Sequence, residues 1–277
     1  MIAEPHKPQP LVTVITVVLN AEKFVEQTIR SVIGQTYDNI EYIVIDGAST
    51  DGTLNVIRRH EESIDCWISE PDKGIYDAIN KGISRAHGEF INVLNAGDYY
   101  SRPTVVSDYI NLLSQHPQTS WAYAPVLIQD ERGVISENRH IVFGMSRYDR
   151  DICHQSMFYK KELHSIVGLY NIGFPYAADR HFILKIRALK KYEPVVLKEP
   201  SIVFRLGGVG ITNVGAIRDA MHVNENLFRG FFLLQLKAIG FKKLYCRKLL
   251  LYLEGGRLRP AVQIYKKVKR RLFVLPW

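Results

Sequence analysis

The chain has 277 residues, 47% of them apolar and 23% charged, which supplies enough apolar side chain for a sizeable core and excludes a disordered polymer. The net charge of +8 is uneven: residues 229–277 hold 13 Lys and Arg against the single acid Glu254, whereas residues 1–228 hold the other 23 against 27 acids. The basic character therefore belongs to the C-terminal fifth, and nucleic acid is not an expected partner, because no aromatic-basic binding motif recurs.

Residues 1–10 carry three prolines and read as a loose leader without the basic and apolar regions of a secretory signal. Leu11–Leu19 is a continuous β-rich apolar run, a strand covered on both faces, ended by Asn20. Ala21–Gln35 places Val25, Ile29, Val32 and Ile33 on one helix face. Glu41–Ile45 is a second buried strand. It runs into Asp46-Gly47-Ala48-Ser49-Thr50-Asp51-Gly52, a segment rich in turn and helix-capping residues. A helix over Leu54–His60, a strand over Ile64–Ile68 and the loop Ser69–Gly74 follow. Next come a helix over Ile75–Ala86 and a strand over Glu89–Leu94. Strands alternating with helices predict a mostly parallel α/β sheet flanked by helices.

Pro103 opens another helix to His116. Ser120–Gln129 and Val134-Ile135 read as strands of an antiparallel addition, joined by the turn Asp130–Gly133. Phe158-Tyr159 is strand-like. Ala178–Leu189 is helical, and Val195–Leu197 and Ile202–Arg205 are short strands. From Val214 the chain is helical and basic. The expected organisation is a leader (1–10), a catalytic domain (11–213, with halves 11–103 and 104–213) and a helical basic extension (214–277).

Two strand ends carry carboxylates where ligands bind in an open α/β sheet. Asp46 serves either as a turn carboxylate or as an acceptor for a base N–H or ribose hydroxyl; Asp51 suits a helix cap. Asp98 closes Leu94-Asn95-Ala96-Gly97-Asp98 and serves either as a turn cap or as the carboxylate holding a divalent cation, Mg²⁺ or Mn²⁺, against a diphosphate. Trp67 and Tyr76 read as packing, and Trp121 as core or a sugar platform. Cys66, Cys153 and Cys246 are odd in number and scattered. That disfavours a disulfide framework or zinc site and fits a reducing cytoplasm.

Several segments, in order, resemble family 2 inverting glycosyltransferases of the GT-A fold. They are Val12–Asn20 with Ala21-Glu22, Ser31–Tyr37, Glu41–Thr53, Asp72-Lys73-Gly74 with Ala78, Asn80 and Gly82, and Leu94–Asp98. Ser69–Ala78 and Leu94–Asp98 are most similar to a bacterial group that assembles exopolysaccharide of the colanic-acid type. The resemblance implies a UDP- or GDP-sugar donor and a membrane-associated, lipid-linked glycan acceptor. It assigns donor binding to Val18, Asn20, Asp46, Asp72, Lys73, Asn95 and Asp98, with Asp98 as metal ligand. It makes Asp179 the catalytic base and sets His154, Gln155 and Arg205 on the acceptor or diphosphate side.

Departures from the family pattern are Asn95 and Gly97 in place of acids, Ile79 in place of Arg, Ala178 before the base, and Gly207-Gly208-Val209-Gly210 without its hydroxyl. Lys73 is the candidate substitute for the missing Arg. A nucleotidyltransferase of related fold and a non-catalytic nucleotide-sugar-binding membrane scaffold are the alternatives. The apolar and basic clusters after Phe231 suit attachment to an anionic leaflet, hence a cytoplasmic protein peripheral on the inner face of the membrane.

Overall fold

A computed structural model describes residues 9–130, 132–138, 152–189 and 191–206. Most of the leader, Cys246, the loop Gly207–Gly210 and the extension 214–277 lie outside the described residues.

Strand β1 (Val12–Val18) buries every side chain. Val12, Val14 and Val18 enter one apolar cluster, and Ile15 and Val17 enter another. A strand turns successive side chains to opposite faces, so a continuous apolar run feeds two cores at once. β2 (Ile40–Asp46) divides likewise, with Tyr42 and Val44 in the first cluster and Ile43 and Ile45 in the second. The first cluster packs against α1 (Val25–Ile33) and α2 (Thr53–Arg59). After β3 (Cys66–Ser69), helix α3 (Ile75–Arg85) buries Tyr76, Ala78, Ile79 and Ile83 in the second cluster.

Helix α1 starts at Val25 rather than at Ala21. The Ala21 N–H donates to Thr53 Oγ1 and the Glu22 N–H to Asp51 Oδ2, so the approach to the helix is fastened to the neighbouring loop.

β1 pairs in parallel with β2 and with β4 (Phe90–Val93), and β2 pairs in parallel with β3. The register aligns Val18 with Asp46 and Asp46 with Ser69. Beyond β4 the ladder continues through Leu94 N–H to Ile15 O and Ala96 N–H to Val17 O. The loops after β1, β2 and β4 therefore emerge side by side at one edge.

Next come β5 (Tyr99–Tyr100), α4 (Val105–Ser114), β6 (Trp121–Tyr123), β7 (Val126–Gln129) and β8 (Ile135–Asn138). The run expected as one strand over Ser120–Gln129 is broken at Ala124-Pro125. A proline cannot donate to a ladder, and the chain changes sheets there. β9 (Phe158–Lys160) lies antiparallel between β4 and β6. Helices α5 (Leu163–Val167) and α6 (Ala178–Ala188) precede β10 (Val195–Val196) and β11 (Ile202–Arg205). Helix α5 went unread in the sequence because five residues are too short to show a helical period.

Among the described residues one sheet has the order β10-β6-β9-β4-β1-β2-β3 and a second the order β5-β11-β7-β8. β7 and β8 are the expected antiparallel pair, and β11 joins β7 in parallel.

Helix α3 lies close to the sheet because position 82 is glycine. A Cβ there would stand 2.5 Å from Ile15 Cγ2. Overfilling a packed core costs about 1–3 kcal/mol. Gly82→Val is accordingly expected to lower the urea midpoint without changing the m-value, read by equilibrium unfolding.

Candidate active site

The edge formed by β1, β2 and β4 carries two connected groups of polar side chains. The first surrounds the end of β2. Asp46 is fully buried, at 0% exposure. Its Oδ1 accepts from Ser49 Oγ, and its Oδ2 accepts from the Ser49 N–H at 2.9 Å and from Ser69 Oγ at 2.7 Å. These donors come from the turn after β2 and from the end of β3. Ser49 Oγ in turn accepts the Asn20 N–H at 2.8 Å, and Asn20 Oδ1 accepts the Thr50 N–H at 2.8 Å. Asn20 has φ 50°, a left-handed conformation that Asn tolerates better than most residues. Val18 is buried, and its carbonyl accepts the Gly47 N–H.

Asp72 belongs to the same group. Its Oδ1 accepts the Gly74 N–H at 2.8 Å, and its Oδ2 lies 2.4 Å from where a Cβ on residue 47 would stand. Lys73 is exposed, and its N–H donates to Asp77 Oδ2. Gly52 is the N-cap residue of α2, and Asp51, one position earlier, accepts the Thr53 N–H and hydroxyl at its Oδ1.

The second group joins residues from opposite ends of the domain. Gly97 has φ +102°, open to glycine, and its N–H donates to Thr28 Oγ1, whose hydroxyl donates to Asp98 O. Asp98 is 5% exposed. Its Oδ1 accepts the Arg205 N–H at 3.0 Å and its Oδ2 accepts Gln155 Nε2–H at 3.0 Å. Burial pushes its carboxyl up to about 7 in spite of the Arg205 N–H and the nearby His154, Gln155 and Arg205. The Arg205 guanidinium donates to Gly97 O and to Gln27 Oε1 and sits 4.8 Å above the Phe24 ring. It straps the Asp98 loop to the chain entering α1.

Asp179 lies in the first turn of α6, with its side chain 24% exposed. His154 Nδ1 is 3.0 Å from its Oδ2, and Tyr76 Oη donates to its Oδ1 at 2.8 Å. Burial alone would raise the Asp179 carboxyl. The His154 hydrogen bond and charge, the Tyr76 hydroxyl and the Arg180 N–H together outweigh it and hold the group below the ordinary carboxylate value. Asp179 is thus ionised at neutral pH.

Asp98 and Asp179 are therefore gripped by adjacent residues, Gln155 and His154, in one 3₁₀ turn over His154–Ser156. Buried polar groups fix that turn. Asn92 Nδ2 donates to Gln155 O at 2.8 Å and to Met157 O at 2.7 Å, while Tyr100 Oη donates to Asn92 Oδ1 at 2.8 Å. The Cys153 thiol donates to Gln155 Oε1, which sets the Gln155 amide with its Nε2 toward Asp98.

Asn92 was not singled out in the sequence, yet a polar residue in the middle of an apolar strand is the signal that finds it. Tyr76 packs in the core, as expected, and also donates to Asp179. Trp121 is fully buried and donates to Tyr192 O, the core role of its two readings.

Residues 13–182 match the family described as Glycosyl transferase family 2. The chain belongs to this family. An uncharacterized glycosyltransferase of Mycobacterium tuberculosis is 34% identical over 207 residues, 73% of this chain and 77% of its own length. A PGL/p-HBAD biosynthesis glycosyltransferase of Mycobacterium bovis is 25% identical over 183 residues, 64% of this chain and 69% of its own.

Staphylococcus aureus TarS 1–349 in complex with UDP-GlcNAc aligns with a TM-score of 0.61 at 16% identity, covering 79% of this chain and 66% of that one. The match spans 40% of the longer TarS chain. Mannosyltransferase PcManGT from Pyrobaculum calidifontis, in complex with GDP-Man and Mn2+, aligns with a TM-score of 0.57 at 18% identity, covering 96% and 81%. At these identities the structural likeness is one of fold, and it is the GT-A fold expected from the sequence. The chain is a glycosyltransferase, and the two solved complexes that share its fold hold UDP-GlcNAc and GDP-Man.

Asp98 and Asn95 offer oxygen donors of the kind a hard divalent cation takes. Asp98 is a buried carboxylate whose ionisation is suppressed by its surroundings, and Asn95 Oδ1 is a buried acceptor without a hydrogen-bond partner. Among the described residues no group of three or more His, Cys, Asp or Glu could hold a metal ion. One carboxylate, with phosphate oxygens and water completing the shell, is the usual arrangement for Mg²⁺.

Proposed function

We propose that this glycosyltransferase inverts the anomeric centre of a UDP- or GDP-sugar while transferring the sugar to a membrane-associated, lipid-linked glycan in surface polysaccharide assembly. The observation that carries this reading is the pair of carboxylates joined through His154 and Gln155. One is buried and suited to a cation, and the other is ionised and partly open.

In the proposed step an acceptor hydroxyl oxygen attacks the anomeric carbon. The bond from that carbon to the diphosphate oxygen breaks, and the hydroxyl proton passes to Asp179. His154 and Tyr76 hold Asp179 in place. Asp98 would hold Mg²⁺ or Mn²⁺, whose chemistry is to offset charge on the departing diphosphate. Gln155 and Arg205 keep Asp98 in register. Asn20, Asp72 and Lys73 border the donor, with the Val18 backbone, and Asn95 completes the diphosphate side. Asp46 contributes by fixing Ser49 and Ser69, a positioning role. The basic C-terminal residues hold the enzyme on the inner membrane face, near its acceptor, through anionic lipid.

A panel of UDP- and GDP-sugars with Mg²⁺ or Mn²⁺ tests this reading on the purified full-length chain. One donor is expected to raise the thermal midpoint and to be transferred to a polyprenyl-diphosphate glycan in anionic vesicles, with opposite anomeric configuration in the product. Retained configuration, or no stabilisation by any donor, would refute it.

A further inference from the structure

Helix α3 touches both halves of the site. Its N-terminus follows Asp72-Lys73-Gly74 directly, and its first turn carries Tyr76. Tyr76 and Asn80 are one helical turn apart and share a face. Both reach the loop that leads into α6. Asn80 makes a reciprocal pair of hydrogen bonds with the Tyr170 backbone: Nδ2 donates to Tyr170 O at 2.8 Å, and Oδ1 accepts the Tyr170 N–H at 3.0 Å. The Tyr76 ring stacks on the Tyr170 ring, 5.8 Å between centroids and 19° between planes. Tyr170 also packs on Phe182 of α6, 4.9 Å between centroids. The Tyr76 ring thus rests on a Tyr170 that Asn80 and Phe182 hold in place, and its hydroxyl meets Asp179 Oδ1 at 2.8 Å.

A ring buried to this degree needs no hydrogen bond to stay in place, but its hydroxyl does need a partner. Among the described residues the acceptor for Tyr76 Oη is the carboxylate proposed as base. The Tyr76 hydroxyl also has its ionisation suppressed by burial and by the neighbouring Asp179 charge, so it is a permanent donor at physiological pH. Asp179 therefore has its two oxygens claimed from opposite sides: Oδ2 by His154 from the 3₁₀ turn, Oδ1 by Tyr76 from α3. Two such restraints hold a carboxylate in one rotamer, which a base in an in-line displacement requires.

We infer that Tyr76 is a positioning residue for the base, through which helix α3 ties the donor loop Asp72-Lys73-Gly74 to the orientation of Asp179. The inference rests on the proposed role of Asp179 and adds a residue to it. Tyr76 touches neither sugar nor diphosphate in this role; it acts on the acceptor step through Asp179. Removing the hydroxyl leaves the ring stack on Tyr170 and the Asn80 clamp intact, so the change is confined to one hydrogen bond to an ionised group.

The pH dependence of the step reports on that bond. The groups facing Asp179 are His154 from the 3₁₀ turn, Tyr76 from α3, and the Arg180 N–H on its own helix, with Tyr170 and Cys153 coupled to its charge. Of these, the Tyr76 hydroxyl donates more strongly to the ionised carboxylate than to the protonated one. Its loss favours the protonated form and moves the acid limb of the kcat/KM profile to higher pH.

The experiment compares the full-length enzyme with Tyr76→Phe and Asp179→Asn at saturating cation. Tyr76→Phe is expected to lower kcat about ten- to a hundredfold, the range for one hydrogen bond to a charged group. The donor KM and the donor-induced thermal shift should stay at parental values, which also shows that the variant is folded. Its acid limb should move upward. A Tyr76→Phe enzyme with parental kcat and an unmoved acid limb, beside an inactive Asp179→Asn, overturns the inference while leaving the base assignment standing. A fully active Asp179→Asn overturns the base assignment and the inference together.

Discussion

Asp179→Asn is expected to lower kcat by about 10²–10⁴-fold, the usual contribution of a positioned general base, while donor binding survives. Asparagine keeps the shape of the side chain and an oxygen for the Tyr76 hydroxyl and the Arg180 N–H, so α6 should start as before. What is lost is the capacity to take the acceptor proton. Transfer rates and donor-induced thermal shifts, measured on the same preparation, separate the two. In the parent enzyme the carboxyl is held below its ordinary value, so the base stays ionised from neutral pH well into the mildly acid range. A fully active Asp179→Asn enzyme would remove the base from the mechanism.

Asp98→Asn has the second large effect, and it has two signs. Loss of the carboxylate should reduce kcat/KM by about 10²-fold or more, since a cation at a departing diphosphate supplies several kcal/mol of charge stabilisation. The donor-induced thermal shift should at the same time lose its dependence on Mg²⁺ or Mn²⁺. The cation-free protein should move the other way. The Asp98 carboxyl is raised from 3.8 to about 7 by burial. Between those values the folded protein binds a proton that the unfolded chain has released. Stability of the cation-free parent therefore falls as pH rises through this window, and the full cost is present above about 7.

Asp98→Asn removes that cost and should raise the cation-free thermal midpoint at pH 8, with little change at pH 4. In the parent, protons compete with the cation at Asp98, so apparent cation affinity should decline as pH drops through about 7. A cation-free midpoint at pH 8 that is unchanged or lowered by Asp98→Asn would contradict the burial argument. Undiminished metal dependence of transfer would contradict the ligand role.

The parts of the fold legible in the sequence are those governed by local periodicity. The run Val12–Val18 is apolar at every position because it feeds two cores, and the apolar positions of α3 recur at helical spacing because one face lies on the sheet. Where a local signal was short or interrupted, the reading failed. Helix α5 has five residues, and the break at Ala124-Pro125 lies between two short β-rich runs, Trp121–Tyr123 and Val126–Gln129, that read as one. Tyr76 read as packing because its ring does pack; nothing in the neighbouring residues announces a carboxylate 103 positions away.

The sequence by itself determined that carboxylates stand at strand ends, since a strand that stops at Asp46 or shortly before Asp98 must deliver it to the edge of the sheet. Its ordered segments also determined the family. Only the tertiary structure decided which donors each carboxylate meets there. Asp46 meets Ser49 and Ser69, while Asp98 and Asp179 are brought under one turn by Gln155 and His154. The reason is physical. Backbone periodicity follows from residues within a few positions of one another, whereas a buried carboxylate takes whichever donors the packed sheets and helices bring within about 3 Å. Those donors come from segments that sequence distance keeps apart.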